Sequence, residues 1–233
     1  MSRIVFISPL VYGNCESKTW EPDVMSFLRG KRTSLLPQLA PMILAALTPL
    51  KHTFKYIDEE IDEIDFNNID ADLIGLTATT AQADRAYEIA AEFRKRGLKV
   101  VMGGIHTTVL PDEATLHVDA ICVGEGENIW PAMLEDFEAE VLKPRYDAKD
   151  YPPVTKLISP RVDIIKHDRY SMFPLMATKG CPYDCDFCSI RHTSGHKILM
   201  KPIEQVMTEI AALEEYNKGP LKKYYMFFVH KFI

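Results

Sequence analysis

Short apolar runs recur along the first two thirds of the chain, and helical patterns lie between them. The runs fall at residues 3–8, 54–58, 73–79, 99–104 and 120–124. They are mostly apolar rather than alternating, which is typical of strands that are covered on both faces. Such an alternation of strands and helices predicts an α/β fold, with a parallel sheet and helices on both of its faces.

The helical segments are predicted from apolar spacing and from end signals. Residues 81–96 carry apolar side chains on one helical face, and Gly97 follows as a C-terminal glycine. Pro41 lies in the first turn of a helix that continues to Leu47. Further helices or helical turns are expected at 24–28, 112–116 and 128–137.

Small and polar residues follow the apolar runs, at the positions where a parallel sheet binds its ligands. The candidate ligand contacts are Ser8, Thr77, Thr79, Gly103, Gly104, His106, Gly124, Glu125 and Gly126. Glycines at these positions would let the backbone approach a large flat ligand closely. The alternative is that the glycines only make tight turns and that His106 is an ordinary loop histidine.

Three cysteines, Cys181, Cys185 and Cys188, stand within eight residues directly after another apolar run. The spacing C-x₃-C-x₂-C is neither the paired C-x₂-C pattern of structural zinc nor the C-x₂-C-x₂-C of bacterial ferredoxins. Three thiolates suit a cubane iron–sulfur cluster in which one iron lacks a protein ligand. The alternatives are a zinc site completed by His192 or His196, and unliganded surface thiols. Cys15 and Cys122 are expected to be free thiols.

This loop resembles that of the radical S-adenosylmethionine (SAM) superfamily, C-x₃-C-x-φ-C, with Phe187 at the aromatic position φ. The resemblance implies that Cys181, Cys185 and Cys188 hold a [4Fe–4S] cluster and that Phe187 contacts adenine. SAM would bind the open iron. One electron would then cleave SAM to methionine and a 5′-deoxyadenosyl radical, which abstracts hydrogen from the substrate. A reductant for the cluster is therefore implied.

The first part of the chain resembles the cobalamin-binding domain that precedes many radical SAM domains. Gly103-Gly-Ile-His106 and Gly124-Glu-Gly-Glu127 match the two loop motifs of that domain. The resemblance implies a Rossmann-like, flavodoxin-like sheet that binds cobalamin through these loops and through Ser8, Thr77 and Thr79. The D-x-H-x-x-G motif, which supplies a histidine to cobalt in other cobalamin proteins, is absent from the sequence. No histidine ligand from that motif is therefore expected.

The chain divides into residues 1–141, a cobalamin-binding domain; 142–170, a proline-rich linker; and 171–233, the start of a radical SAM barrel. In this last part we expect a strand at 172–177 followed by the cysteine loop, a helix at 202–216 and a strand at 224–229. The family's barrel continues well beyond these elements. We therefore expect a truncated or frameshifted gene product, or a deliberately shortened chain. Such a chain is either an inert binding module or is completed by a partner at its last strand.

Composition limits the function further. The net charge of −6 gives no support for nucleic-acid or anionic-membrane binding, and no window holds 18 consecutive apolar residues. The N-terminus lacks a signal-peptide pattern, so a cytoplasmic protein is expected. The resulting hypothesis is radical C–H chemistry, such as methyl transfer to a small-molecule or lipid-like substrate.

Overall fold

The structure is a computed structural model that describes residues 1–11, 32–150, 153, 155–217 and 224–228, without the side chains of 191, 192 and 228. Cys15, the helix expected at 24–28 and residue 229 of the predicted last strand lie outside the described residues.

A parallel sheet of six strands forms the first unit of the molecule. The strands are β1 (Arg3–Ser8), β2 (Thr53–Asp58), β3 (Leu73–Thr77), β4 (Lys99–Gly103), β5 (Ala120–Val123) and β6 (Arg145–Asp147). Their spatial order is β2-β1-β3-β4-β5-β6, and every neighbouring pair is parallel. The first five strands have the flavodoxin-like order. The predicted fold class is confirmed.

The sixth strand differs from the predicted linker. Residues Arg145–Asp147 pair in parallel with β5, so the sheet continues beyond residue 141. Tyr146 is buried against the sheet core, and its hydroxyl donates a hydrogen bond to Asp136 at 2.8 Å. Three residues are too few to show a strand period, which is why this strand was not predicted.

Helices cover both faces of the sheet. They are α1 (Leu39–Leu47), α2 (Ala83–Lys95), α3 (Ile105–Val109), α4 (Pro111–Thr115) and α5 (Gly126–Glu138). The side chains of β1 alternate between two cores. Val5 packs into the core that contains Phe93 of α2, whereas Phe6 packs into the core that contains Trp130 of α5. The sheet is therefore buried on both sides, as its mostly apolar strands predict.

A second unit follows the sheet. Its elements are β7 (Met172–Met176), β8 (Thr178–Lys179), α6 (Ile190–Ser194), β9 (Leu199–Met200), α7 (Ile203–Glu214) and β10 (Tyr224–Phe228). Strands β7 and β10 pair in parallel, and α7 connects them and packs on β7. This is one βα unit plus a strand, as the sequence predicts. Strands β8 and β9 pair antiparallel and close the base of the cysteine loop and α6.

Helix α7 buries only part of its apolar side chains. Ile203 and Met207 are exposed, whereas Leu213 is buried in a third core. Glu209 is also buried, and the ammonium group of Lys201 pairs with its carboxylate at 2.7 and 2.8 Å. A buried carboxylate is tolerated when it is paired in this way.

The third core joins the two units. It combines Met42 of α1 and Tyr56 of β2 with Tyr170, Phe173 and other residues of the second unit. The hydroxyl of Tyr170 donates a hydrogen bond to the carboxylate of Asp58 at 2.9 Å. Among the described residues, no helix is both long and apolar enough to cross a membrane.

Candidate functional site

A pocket of about 350 Å³ lies at the carboxyl ends of the sheet strands, between the first and second units. We call it the central pocket. Its position agrees with the rule that parallel sheets bind ligands beyond the carboxyl ends of their strands. One wall is made of sequence-predicted residues, namely Thr77, Gly103, Gly104, Gly124, Glu125 and Gly126. The second unit contributes the opposite wall, namely Met176, Lys179, Ser189, Ile190, Thr193 and Ser194.

The third wall of the central pocket is apolar and comes from the sheet and from helices α1 and α5. Its residues include Phe6, Ile43, Leu44, Ile129, Trp130 and Met133. Sequence reasoning missed this wall, because the same residues form regular apolar faces that also serve as core. The pocket thus combines glycine backbone with aromatic and aliphatic surface, which suits a ligand with both polar and apolar parts.

The glycines of the central pocket fall into two kinds. Gly104 has φ +103°, and a Cβ there would lie 2.7 Å from the carbonyl oxygen of Ala78. Gly124 has φ +91°, and its Cβ would lie 2.8 Å from the Cβ of Ala148. The fold itself therefore requires glycine at both positions. A Cβ on Gly103 would meet only an ordinary contact with Cys122, at 3.5 Å, so the backbone fold does not explain that glycine.

Three predicted ligand contacts are absent from the pocket wall. Ser8 is buried and accepts a hydrogen bond from the Tyr56 hydroxyl at 3.0 Å. Thr79 precedes the 3₁₀ turn Thr80–Gln82, and both its backbone nitrogen and its hydroxyl donate to the side-chain oxygen of Gln82 at 3.0 Å. Hydrogen bonds within the fold thus hold both residues in place. Both follow the ends of strands, as the sequence predicts, but neither lines the pocket, whereas Thr77 at the end of β3 does.

His106, the third such residue, lies in α3 and is 1% exposed. Its Nε2 lies 2.6 Å from the hydroxyl of Tyr87, whereas its Nδ1 is buried without a hydrogen-bond partner. Burial and the neighbouring Glu113 raise the pKa of Tyr87, so this phenol stays protonated and can donate to the imidazole. His106 therefore packs behind the glycine loop that follows β4, rather than on the pocket wall.

A buried ion-pair cluster connects the two units at the pocket. The ammonium group of Lys179 lies 2.5 Å from a carboxylate oxygen of Glu127 and 3.2 Å from one of Glu125. Burial lowers the pKa of Lys179, but the two carboxylates outweigh it and the net shift is upward. Burial raises the pKa of Glu125, although Lys179 opposes that effect. The cluster is therefore an ammonium held by two carboxylates.

Sequence reasoning missed Lys179. One signal was available: Glu125 and Glu127 both belong to a loop that was expected to border a buried site, and buried carboxylates need a cation. Several lysines and arginines could have supplied it, so the partner could be identified only from the tertiary structure.

The cysteine loop, residues 180–188, starts directly after Lys179 and ends directly before Ser189, so both of its neighbours lie on the pocket wall. The backbone nitrogen of Cys181 donates to the carbonyl oxygen of Gly195 at 3.1 Å, and that of Cys188 donates to Cys185 at 3.0 Å. All three thiols are free, and Phe187 is 92% exposed. The loop is held at its base and presents its tip to solvent.

The cysteine loop carries the donor atoms of a possible metal centre. In the part of the chain that the structure describes, no three His, Cys, Asp or Glu side chains are arranged to hold a metal ion, and this includes His196 with the cysteines. The side chain of His192 is outside the described residues. The donor set itself fits an iron–sulfur cluster, because it consists of three free, partly or fully exposed thiols in one loop. Cluster ligation by these cysteines remains a prediction.

Cys122 differs from the three cysteines of the cysteine loop. It is a free thiol on the wall of the central pocket, beneath Gly103 and Gly126. Burial raises its pKa to about 12, so its thiol stays protonated. It behaves as a small apolar side chain rather than as a ligand.

Comparison with known proteins gives the following findings. Residues 27–134 match the model of the B12 binding domain. The chain is 38% identical over 182 residues to bacteriochlorophyllide d C-8(2)-methyltransferase of Chlorobaculum tepidum, a match that covers 75% of this chain and 40% of that protein. It is 30% identical, with the same coverage, to bacteriochlorophyllide d C-12(1)-methyltransferase of that organism. The chain thus spans about 40% of the length of these curated relatives.

A solved structure shares the fold. The radical SAM methyltransferase TsrM from Kitasatospora setae, with cobalamin and a [4Fe–4S] cluster bound, matches with a TM-score of 0.64 at 15% identity, over 97% of this chain and 48% of that chain. The structure of TsrM with tryptophan and a SAM analogue matches with a TM-score of 0.66 at 14% identity, over 97% of this chain and 47% of that chain. Residues 27–134 thus match a B12-binding domain, the chain is similar to methyltransferases, and it shares the fold of the two solved structures.

Proposed function

We propose that this chain binds cobalamin in the central pocket and a [4Fe–4S] cluster at Cys181, Cys185 and Cys188, and that it acts in SAM-dependent methylation of an unreactive carbon atom. One observation supports this most strongly: the neighbours of the cysteine loop, Lys179 and Ser189, line the same pocket as the glycine loops. Two cofactor sites that cooperate on one substrate must be close together, because small misplacements of reacting groups are costly.

Each group of residues would have its own role in binding the cofactors. The backbone at Gly103 and Gly126 would contact the polar edge of cobalamin, and the apolar wall around Trp130 would exclude water from its buried part. The three cysteines would hold three irons of the cluster and leave the fourth for SAM, with Phe187 beside the adenine. When bound, the cluster supplies the electron that cleaves SAM, and cobalamin carries the methyl group.

The test of the cluster is anaerobic reconstitution of the full chain with iron and sulfide. We expect about four irons per chain, as a [4Fe–4S] cluster requires. Cys185→Ala should lose most of this iron. Cys122→Ala is the matched control, because it removes a buried, protonated thiol outside the loop, and it should retain the iron. Full iron retention by Cys185→Ala, or zinc in place of iron in the parent chain, would contradict the proposal.

Cobalamin binding has its own test. Gly126→Leu should fill the pocket beside Leu44, where a Cβ would already be in contact at 3.5 Å, and should abolish cobalamin retention during gel filtration. Gly97→Ala, at φ +79° but with no neighbour within 4 Å of its Cβ, strains the backbone outside the pocket wall and is the control for a loss of stability alone. Equal retention by the two variants would argue against the central pocket as the site.

The relatives narrow the choice of substrates. Two of them methylate bacteriochlorophyllide d, and a further one, 22% identical, is the hopanoid C-2 methylase of Rhodopseudomonas palustris. These substrates are polycyclic and largely apolar. We propose a substrate of that class, with a bacteriochlorophyllide as the first compound to assay by mass spectrometry for a gain of one methyl group.

A second candidate function is binding of the cofactors without turnover. It is favoured by the described part of the second unit, in which the parallel sheet has two strands, β7 and β10. Incubation of the reconstituted chain with SAM and dithionite distinguishes the two functions. Repeated turnover to 5′-deoxyadenosine would support the enzyme, and its absence from an iron- and cobalamin-loaded chain would support the binding module.

A further inference from the structure

Lys179 joins the two units from a buried position directly before the cysteine loop. Its side chain is 8% exposed, and those of its partners Glu125 and Glu127 are 19% and 15% exposed. Glu125 belongs to the glycine loop after β5 and Glu127 to the first turn of α5, whereas the lysine belongs to the short strand β8. The ion pairs therefore connect the loop that borders the pocket to the base of the cysteine loop.

The other described contacts of this region are short. Strand β8 consists of two residues and pairs only with β9 in the described part of the chain, so it does not extend either parallel sheet. Helix α6, at the other end of the cysteine loop, packs on α3. The ion pairs of Lys179 thus act together with a two-residue ladder, this helix contact and the hydrogen bond from Cys181 to Gly195 in positioning the loop base.

We propose that Lys179 is a positioning residue, whose ion pairs with Glu125 and Glu127 fix the base of the cysteine loop against the central pocket. Replacing the ammonium group by an apolar side chain would leave two partly buried carboxylates without a cation. Their repulsion and their demand for water would open the contact between the units. The inference rests on the proposed function in one respect, since it takes the cysteine loop to be the cluster loop.

The test measures how the loop opens, without metal or cobalamin. The reduced full chain is treated with a thiol-alkylating reagent, and the rate at each cysteine is read from peptides by mass spectrometry. In Lys179→Met, alkylation of the partly buried Cys181 and Cys188 should accelerate on the order of tenfold, because the local opening equilibrium shifts. Strand β3, whose side chains are buried, should keep its protection from hydrogen exchange and thereby report that the sheet remains folded.

Two further variants separate positioning from a general loss of stability. Lys179→Arg keeps the charge and should retain the parent rates within about twofold. The double variant Lys179→Glu, Glu127→Lys restores opposite charges. In this variant, alkylation of Cys181 and Cys188 should again be slower than in Lys179→Glu alone. Unchanged alkylation rates at Cys181 and Cys188 in Lys179→Met would overturn the proposal. Fast alkylation in both the Lys179→Arg variant and the charge-exchanged double variant would also overturn it.

Should Lys179→Met unfold, strand β3 would lose its protection from hydrogen exchange. The triple variant Lys179→Met, Glu125→Gln, Glu127→Gln then decides, because it removes all three charges together and leaves no unpaired buried ion. Faster alkylation confined to the loop supports positioning, and parent-like rates refute it. These rates do not depend on iron, so a parent chain that binds no iron would refute the proposed function while leaving this inference to be judged on its own.

Discussion

The two units of the molecule are stabilised in different ways. The sheet unit contains two cores of its own, one on each face, in which residues such as Phe93 and Trp130 are almost completely buried. The described part of the second unit has one core, and that core includes Met42 and Tyr56 of the first unit. The second unit also exposes Met200, Ile203 and Tyr224. The first unit should therefore fold on its own, whereas the second depends on contact with the first.

The largest test of this difference compares two buried phenylalanines. Phe93→Ala, in a core of the sheet unit, should lower the free energy of unfolding by about 3–5 kcal/mol and affect the whole chain. Phe173→Ala, in the shared core, removes the same side chain and should open the second unit while the sheet stays folded. Hydrogen exchange followed by peptide mass spectrometry checks both. A uniform loss of protection in Phe173→Ala would show that the units unfold together.

The second test uses the hydrogen bond between Asp58 and Tyr170, which joins the units. Burial raises the pKa of Asp58 to about 6, from an ordinary value of 3.8. Because the folded state favours the protonated carboxyl, this group contributes stability that is complete below pH 3.8 and is lost as the pH rises to about 6. The loss amounts to about 3 kcal/mol at most, at roughly 1.4 kcal/mol for each pH unit between the two pKa values.

Asp58→Asn provides the measurement. Asparagine cannot ionise and can still accept the hydrogen bond from the Tyr170 hydroxyl, so the decline in stability between pH 3.8 and 6 should disappear in the variant. Urea unfolding of the parent chain and of the variant at several pH values checks this. Parallel pH profiles for the two proteins would mean that another group causes the dependence.

The sheet was largely predictable from sequence, and the reason is local. Strand β1 was predicted with its observed bounds because Arg3–Ser8 is a short apolar run that ends at a proline. Residues Arg145–Asp147 lack any such run, and only their pairing with β5 makes them a strand. Local patterns therefore identify buried central strands but not a short edge strand.

The candidate site shows the same difference between local sequence signals and long-range contacts. Cysteine spacing and strand-end glycines are local signals, and they led to the cysteine loop and to one wall of the central pocket. The ion pairs of Lys179 join residues more than 50 positions apart, and the position of His106 behind the loop depends on Tyr87 of another helix. Such contacts are set by the packing of distant elements, so the sequence alone could not supply them.

A third test compares neighbouring glycines of the central pocket. Gly104→Ala must place a Cβ at positive φ against the backbone of Ala78, and should cost about 1–3 kcal/mol of stability. Gly103→Ala meets only an ordinary contact with Cys122 and should cost less than about 1 kcal/mol. Thermal unfolding checks the order. Equal losses would mean that both glycines serve the fold, which would remove Gly103 as an argument for a ligand.

The smallest expected effect concerns a second ion pair between the units. Lys166 pairs with Asp62, as Lys179 pairs with Glu125 and Glu127, but the Lys166 side chain is 56% exposed. Water already solvates that ammonium group, so Lys166→Ala should change the free energy of unfolding by less than about 1 kcal/mol. It should also leave alkylation of the loop cysteines at the parent rate. A Lys166→Ala variant whose loop opened as readily as that of Lys179→Met would mean that any charge between the units holds them together. The distinction between a buried and an exposed cation would then fail, because it assumes that water can replace an exposed ammonium group but not a buried one.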